Sequence, residues 1–350
     1  MDYFELYMIV LSISMLFLYP ELIRHNNKCN LVLYLISSIL LLMLNSLLYK
    51  FSGDYVYYIL YIDSIQSKIS FADQIQLVHY NYEIGFAFLC WILKVMFGDS
   101  NLVYQILIFI PSVFLLSSFY IKSKIPLFSL VIYIAHFHWW MGLVLIRQLY
   151  ALIFVLLAIW YLFNKRSVLN YCIFILIASL FHNSSLVLLL LPVYMFFNFD
   201  IKYQIMLILI FFIIGQIGVL SFAFDLVFSN ISRGSTYANY LEIDKGLNYL
   251  AYLEKVLVFL LLIKWKNKLS ETIYRNNLLF YSFALIVCGL FFKTEVASRL
   301  LTYFDIYIYV YIIPLLIWNL KRKQRIMAFM VVIPYLFFYL YRFISITIVF

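Results

Sequence analysis

Two arginines stand close to the predicted starts of apolar spans, and their chemistry suits an anionic ligand. They are Arg147, which precedes Gln148, and Arg299, which lies four residues before Tyr303. A guanidinium presents a planar fork of N–H donors that matches the oxygens of a phosphate or a pyrophosphate. An arginine near the centre of a membrane costs about 2.5–3.5 kcal/mol, so such residues usually face a polar cavity. We predict that Arg147 and Arg299 share a diphosphate site, with Gln148 and Tyr303 as further substrate contacts.

Three other residues have the chemistry of a general base or acid: His182, Glu83 and Asp54. A general base must take a proton from a reacting group, and all three side chains are able to do so. We favour His182 because a neutral imidazole is available at working pH. Glu83 would then orient a bound substrate or Arg147. The choice of base among the three stays open at this stage.

Structural roles compete with these assignments. Asp54 follows Gly53 and suits a turn, while Glu83 suits the positive end of a helix macrodipole. His182 precedes Asn183 in a polar hairpin that offers a helix cap. Each of these alternatives has about the same weight as the catalytic one.

The arginines differ in their structural alternatives. Arg299 lies four residues after Glu295, a spacing that allows an ordinary ion pair on one helix face. Arg147 has no acid within one helical turn. A third arginine, Arg233, lies next to Gly234 in a polar loop, where it is either solvated or covers a diphosphate ligand when the loop closes.

The composition places these residues in a membrane protein. Hydrophobic residues make up 66% of the 350 residues and charged residues 12%, and the mean hydropathy is +1.00. These values exclude a soluble domain. Hydrocarbon offers backbone amides no hydrogen-bond partners, so a chain that spans it forms helices or a closed barrel. The apolar runs of this sequence do not alternate with polar residues, so they predict helices. The predicted fold is all-α, a polytopic bundle of about 12–13 transmembrane helices.

About twenty apolar residues cross a bilayer, and this length predicts individual spans. They lie near residues 3–19, 31–49, 102–120, 126–143, 145–163, 168–182, 185–199, 203–228, 250–263, 277–292, 299–318 and 326–349. A thirteenth segment, 82–97, has no crossing partner, so it either re-enters the membrane or crosses together with part of 55–65. The first run lacks a basic start and a small-residue cleavage site, so we expect it to be retained.

Basic residues predict the orientation, because Lys and Arg in short loops tend to stay in the cytoplasm. Six connections hold 15 of the 25 basic residues, and only three acids, Glu21, Asp200 and Glu271, lie within or just before them. The connections are 24–28, 122–124, 165–166, 202, 264–275 and 321–325. The two termini and the loops 50–82 and 229–249 are then external, and we predict a single transmembrane domain, 1–350, with these loops facing substrate. The net charge of +9 is a topology signal, and no nucleic acid is implied.

Several classes of chemistry lack their sequence signals. The four cysteines are scattered without paired spacing, so neither a disulfide framework nor a zinc site is expected. The chain has no P-loop, no Gly-rich dinucleotide motif and no HExxH motif. We therefore predict no metal and no cofactor.

The order and shared side of the polar segments resemble a known family, the EpsG branch of the Wzy-type polysaccharide repeat-unit polymerases, over residues 50–315. The segments are Gly53-Asp54-Tyr55, Tyr82-Glu83-Ile84-Gly85, Ile146-Arg147-Gln148, Phe181-His182-Asn183-Ser184-Ser185-Leu186 and Ser298-Arg299-Leu300-Leu301-Thr302-Tyr303-Phe304. None of these motifs is specific by itself.

The resemblance implies a GT-C-like or Wzy-type bundle in the bacterial inner membrane, with its active face in the periplasm. It implies a glycosyltransferase that moves a growing glycan from undecaprenyl diphosphate onto one lipid-linked repeat unit, to make O-antigen, capsule or exopolysaccharide. The implied partners are undecaprenyl-diphosphate-linked glycans, membrane lipids and a chain-length regulator protein.

Three alternatives remain. A transferase that uses a polyprenyl-phosphate sugar would depend on Asp54 and Glu83, often with a metal. A lipid-linked oligosaccharide flippase would line its path with polar groups at mid-membrane, whereas the polar groups of this chain collect at one end of the spans. Asp305 is the main exception, and the partner of this buried acid cannot be read from the sequence. A structural assembly partner would tolerate alanine at Arg147 and Arg299.

Overall fold

A computed structural model gives the architecture of most of the chain. It describes residues 3–24, 27–51, 54–66, 68–77, 82–218 and 249–347. Residues 229–248 of the predicted substrate-facing loop 229–249, with Arg233, lie outside this description, as do Ser52 and Gly53.

The all-α prediction is confirmed. The structure is 88% helical, and the described residues contain no β-strand. The α-helices are α1 (Tyr3–Arg24), α2 (Asn27–Leu48), α3 (Tyr55–Ser64), α4 (Phe71–Leu77), α5 (Ile84–Phe97), α6 (Ser100–Lys122), α7 (Pro126–Ile132), α8 (Ile146–Asn164), α9 (Val168–Ser179), α10 (Leu191–Phe197), α11 (Ile201–Ile217), α12 (Tyr249–Lys264), α13 (Glu271–Leu290), α14 (Glu295–Tyr307), α15 (Ile313–Trp318) and α16 (Arg322–Thr347). Short 3-10 helices occupy Tyr49–Phe51, Asn183–Leu190 and Lys266–Lys268, and π-helices occupy Tyr133–Val144 and Ile308–Ile312.

The chain is a multi-pass membrane protein. Among the described residues, six helices are long and apolar enough to cross a membrane. They are Leu31–Leu48, Ser100–Lys122, Pro126–Val144, Ile146–Asn164, Glu271–Leu290 and Val296–Trp318. Each of them overlaps a predicted span. An apolar segment in hydrocarbon must satisfy its own backbone hydrogen bonds, so it forms a helix.

Some predicted spans are shorter or less regular in the structure. The span predicted at 168–182 is a helix that ends at Ser179, and the span at 185–199 begins as the 3-10 helix Asn183–Leu190. The doubtful segment 82–97 is α5, with 14 residues, and part of 55–65 is α3, with 10 residues. At 1.5 Å per residue both fall short of a hydrocarbon core about 30 Å thick. The rings of Tyr58 on α3 and Phe86 on α5 are in contact, so the two short helices pack together.

The described residues form two compact units. The first comprises Met1–Leu156, Leu176–Asn183 and Tyr309–Phe350, and the second comprises Leu157–Ile175 and Ser184–Ile308. The single domain 1–350 therefore stays a prediction. In the first unit, α6 packs against α2, α3, α5 and α7. In the second unit, α13 packs against α10, α11, α12 and α14, and its residues Asn277–Gly289 are buried.

The closest helix pair in the second unit is α11 with α13. A Cβ added at Gly215 would lie 1.9 Å from the carbonyl oxygen of Gly289. Small residues let helix backbones approach closely in membranes, where apolar burial alone gives little driving force for association. A glycine at position 215 is therefore required by this packing.

A buried ion cluster joins three helices of the second unit. Asp305 on α14 lies 3.1 Å from the Nζ of Lys255 on α12, and it accepts a hydrogen bond of 2.9 Å from the hydroxyl of Tyr281 on α13. Lys255 also lies 2.9 Å from Glu254. The sequence left the partner of Asp305 open, and the structure identifies it as Lys255. The cluster fixes the helices because separating its charges would leave them unpaired in an apolar interior.

We expect Asp305→Leu alone to destabilise the protein by about 3–5 kcal/mol, because it leaves the ammonium of Lys255 with one buried partner fewer. The double variant Asp305→Leu/Lys255→Met should recover most of that loss, since a buried ion pair is often replaceable by apolar side chains. Thermal unfolding in detergent measures both. Equal instability of the single and double variants would contradict the pairing.

Candidate active site

The first unit brings together three of the candidate residues. Glu83, Arg147 and His182 come from three separate segments, and the carboxylate of Glu83 lies between the other two side chains. Its Oε2 lies 2.6 Å from Nη1 of Arg147, and its Oε1 lies 3.3 Å from Nδ1 of His182. The backbone N–H of Asn183 also donates to Oε1 at 3.4 Å. One carboxylate therefore contacts a guanidinium and an imidazole at the same time.

Glu83 stands at the N-cap of α5, but its side chain makes no capping hydrogen bond. The carboxylate is turned toward Arg147 and His182 and is only 9% exposed. A negative charge is favoured at this end of a helix by the macrodipole. The helix macrodipole thus favours the position of Glu83 at the start of α5, while its carboxylate makes its contacts with Arg147 and His182.

The charge state of Glu83 follows from this environment. Burial by itself would raise the pKa of Glu83, but the hydrogen bond to His182 and the charge of Arg147 outweigh it and lower the pKa to about 2. Glu83 is therefore a carboxylate at any physiological pH. Glu83 accepts hydrogen bonds and orients its partners, but it is a poor general base.

Arg147 lies in the first turn of α8, where a cation is disfavoured by the helix macrodipole. The site compensates for this. Besides the contact with Glu83, its Nε donates to the hydroxyl of Tyr58 at 3.3 Å, and its guanidinium lies 5.0 Å from the centre of the Tyr82 ring. The guanidinium is thus held by a carboxylate, a phenol and an aromatic face.

Tyr58 is a site residue that the sequence reasoning missed. Its side chain is buried, and its ring stacks on Tyr82 at 5.7 Å between centroids. Among 32 tyrosines nothing marked it out individually. The available signal was spacing, because Tyr58, Tyr61 and Ile62 form the buried face of α3.

A close backbone contact holds Glu83 beside His182. The N–H of Gly85 donates to the carbonyl of Leu180 at 2.8 Å. A Cβ at position 85 would lie 2.8 Å from both the Cβ and the carbonyl oxygen of Leu180. Only glycine fits here, and the contact joins the start of α5 to the turn that carries His182.

Aromatic stacking fixes the same turn from the other side. The ring of Phe181 stacks on Tyr150 and on Phe154, each at 5.5 Å between centroids. Both partners lie on α8, within two turns of Arg147. The helix that carries the arginine therefore also positions the residue preceding His182.

The geometry gives His182 a defined chemical role. When Nδ1 carries the proton and donates it to Glu83, Nε2 is the nitrogen with the free electron pair. A carboxylate on Nδ1 fixes the ring orientation and stabilises the imidazolium that forms when Nε2 takes a proton. The cluster thus combines an oriented base with a cation suited to phosphate oxygens.

Two other candidates also lie in the first unit. Asp54 is half-buried at the start of α3, makes no capping hydrogen bond with its side chain, and lies within electrostatic range of Tyr58 and Tyr82. Gln148 is buried on α8.

Arg299 and Tyr303 lie on α14 in the second unit. Arg299 is half-buried, and Tyr303 is buried with its hydroxyl 3.4 Å from Oγ of Ser184. The shared site of Arg147 and Arg299 stays a prediction. The side chain of Glu295, the alternative partner of Arg299, lies outside the described part, as does Arg233.

The fold and this cluster define a class of protein: an all-α, multi-pass membrane protein with a buried carboxylate that binds an arginine and a histidine. A family model describes the same chain more closely, since the EpsG family matches residues 31–349. The protein belongs to the EpsG family, which includes Wzy-type polymerases of polysaccharide biosynthesis. No curated protein and no solved structure matches the chain.

Gly85→Ala adds only one methyl group, but we expect it to impair function strongly. The added methyl group has to displace Leu180, which moves the start of α5 away from the turn of His182 and lengthens the contact between Glu83 and Nδ1. If the cluster is an active site, we expect the activity to fall at least about tenfold, since small misplacements of catalytic groups have large effects. Val95→Ala, at an exposed position on the same helix, is the control. Equal activity of the two variants would show that this contact does not position the site.

The low pKa of Glu83 predicts a pH-dependent stability. Its pKa is about 2 in the folded protein against 4.5 for a free carboxyl, so its stabilising effect is complete above pH 4.5 and is lost as the pH falls toward 2. Glu83→Gln should therefore be less stable than the wild type by about 1–3 kcal/mol at pH 6–8, and the gap should narrow below pH 4.5.

Thermal unfolding in detergent at a series of pH values measures this gap. The control is Asp63→Asn, which changes an acid that is 57% exposed and 3.8 Å from Lys94, and which should show little difference from the wild type. A gap that does not narrow as the pH is lowered from 4.5 toward 2 would contradict the assignment.

Proposed function

We propose that this protein is a polysaccharide polymerase of the bacterial inner membrane. It transfers a growing glycan from undecaprenyl diphosphate to a single lipid-linked repeat unit at the periplasmic face. The observation that supports the proposal is the contact of Glu83 with both Arg147 and His182, because an imidazole able to act as a base and a cation suited to phosphate oxygens then share one carboxylate. The family membership supports the same direction.

The reaction assigns a task to each residue. The acceptor hydroxyl oxygen attacks the anomeric carbon of the donor glycan, the bond from that carbon to the diphosphate breaks, and undecaprenyl diphosphate leaves with the bond electrons. His182 takes the hydroxyl proton, and Glu83 orients its ring and stabilises its charge. Arg147 stabilises the negative charge that develops on the leaving diphosphate.

The other candidates contribute to the same reaction. Arg299 and Arg233 are proposed as further cations for the diphosphate, and Asp54 as a polar contact beside Tyr58 and Tyr82. Gln148 and Tyr303 are proposed substrate contacts. A diphosphate leaving group gains charge as it departs, so fixed cations stabilise the transition state more than the ground state.

The test is polymer formation from purified lipid-linked repeat units by the reconstituted protein, together with complementation of a deletion strain. We expect His182→Gln to lower the rate about 10²–10⁴-fold and Arg147→Lys about 10²–10³-fold. Arg166→Lys, at an exposed loop position, and Asp63→Asn are matched controls. In the deletion strain, the glycan ladder should collapse to one repeat unit.

Other outcomes identify the alternatives. Strict dependence on a divalent metal would favour a transferase that uses a polyprenyl-phosphate sugar. Transfer of substrate across vesicles without lengthening would favour a carrier. Unchanged glycan length with alanine at Arg147 and Arg299 would favour an assembly partner. Each of these results would overturn the polymerase proposal.

A further inference from the structure

The divided carboxylate of Glu83 leads to an inference about how the site is regulated, and this inference depends on the function proposed above. The guanidinium of Arg147 is already engaged by protein groups in the described structure. Its Nη1 contacts Glu83 at 2.6 Å and its Nε donates to Tyr58 at 3.3 Å, so two of its three nitrogens already bind protein groups. An anion that arrives at this guanidinium competes with Glu83 for the same charge.

The two contacts of Glu83 are unequal. The contact with Arg147 is short, at 2.6 Å, and pairs opposite full charges, while the contact with His182 is 3.3 Å long. The guanidinium therefore competes with the imidazole of His182 for the charge of the carboxylate. A nearby cation also opposes the formation of positive charge on His182.

We propose that a lipid-linked diphosphate, on binding, draws Arg147 away from Glu83, and that the carboxylate, no longer paired with this cation, strengthens His182 as a base. The donor thereby activates the group that deprotonates the acceptor. The aromatic face of Tyr82 and the hydroxyl of Tyr58 keep the guanidinium in the site while it changes partner.

The surroundings of the histidine support this exchange. In the first unit, His182 faces Glu83, which contacts it, and Arg147 on the other side of that carboxylate. Titratable groups near the guanidinium include Tyr58, Tyr82 and Cys90, and Asp54 lies within range of the two tyrosines. Glu83 is thus the acid through which a change at Arg147 reaches the imidazole.

The consequence is a coupling between anion binding and proton uptake. If the diphosphate makes His182 a stronger base, then by linkage its binding must be accompanied by protonation of His182. An imidazole that becomes a stronger base near neutral pH takes up a fraction of a proton. Inorganic pyrophosphate carries the chemistry of the donor head group and is a suitable probe.

The experiment is calorimetry of inorganic pyrophosphate binding to the full-length protein in detergent at pH 7, in two buffers of different ionisation enthalpy. We expect the wild type to take up more protons per pyrophosphate, by a fraction of a proton, than Glu83→Gln or His182→Gln. Pyrophosphate itself titrates near this pH, so the informative quantity is the difference between variants. Asp63→Asn is the matched control for loss of an acid and should behave as the wild type.

The outcomes separate the coupling from the proposed function. Equal proton uptake by the wild type and Glu83→Gln, with binding retained in both, would overturn the coupling and leave the polymerase proposal standing. Loss of pyrophosphate binding in Glu83→Gln would also overturn it, because Glu83 would then be a part of the anion site and not a competitor. Absence of wild-type binding, or binding unaffected by Arg147→Lys, would overturn both proposals.

Discussion

The candidate site depends on one interaction, the sharing of the Glu83 carboxylate between Arg147 and His182. Each partner is costly without the others, because a charge removed from water must be paired and hydrogen-bonded. The cation at the start of α8 needs an acid, and the acid at the start of α5 needs donors. The close contact of Gly85 with Leu180 places the third member beside them. The positions of α5, α8 and the turn before Asn183 are thus mutually dependent.

Much of the fold was predictable from the sequence because one constraint dominates it. Backbone groups in hydrocarbon must bond within their own helix, so hydropathy alone located the six long spans, including Ser100–Lys122 and Ile146–Asn164. Hydropathy does not distinguish i+3, i+4 and i+5 hydrogen bonding, however. The 3-10 helix Asn183–Leu190 and the π-helix Tyr133–Val144 were therefore not predictable, and both were read as ordinary spans.

The residues of the site were predictable by their chemistry, but their pairing was not. Glu83 and Arg147 are 64 residues apart, and Glu83 and His182 are 99 residues apart. Such contacts follow from helix packing and leave no local pattern in one sequence. Tyr58 was missed because an abundant residue type carries little information. The partner of Asp305 had a signal, since Glu254 and Lys255 are adjacent charges within the predicted span 250–263, and charges in such a position need partners.

The two buried ion clusters have opposite relations to an anionic ligand. In the second unit, Lys255 lies between two carboxylates, 2.9 Å from Glu254 and 3.1 Å from Asp305, so with both acids ionised the cluster carries a net negative charge. Its ammonium side chain is only 4% exposed, and an approaching phosphate would be repelled. In the first unit, Arg147 faces one carboxylate and a phenol and is 19% exposed. A diphosphate at this site would approach the Glu83–Arg147 pair, which has no net charge, and the guanidinium has further N–H groups able to donate to it. Charge balance is therefore consistent with a structural role for the lysine cluster and with the proposed ligand site at Arg147.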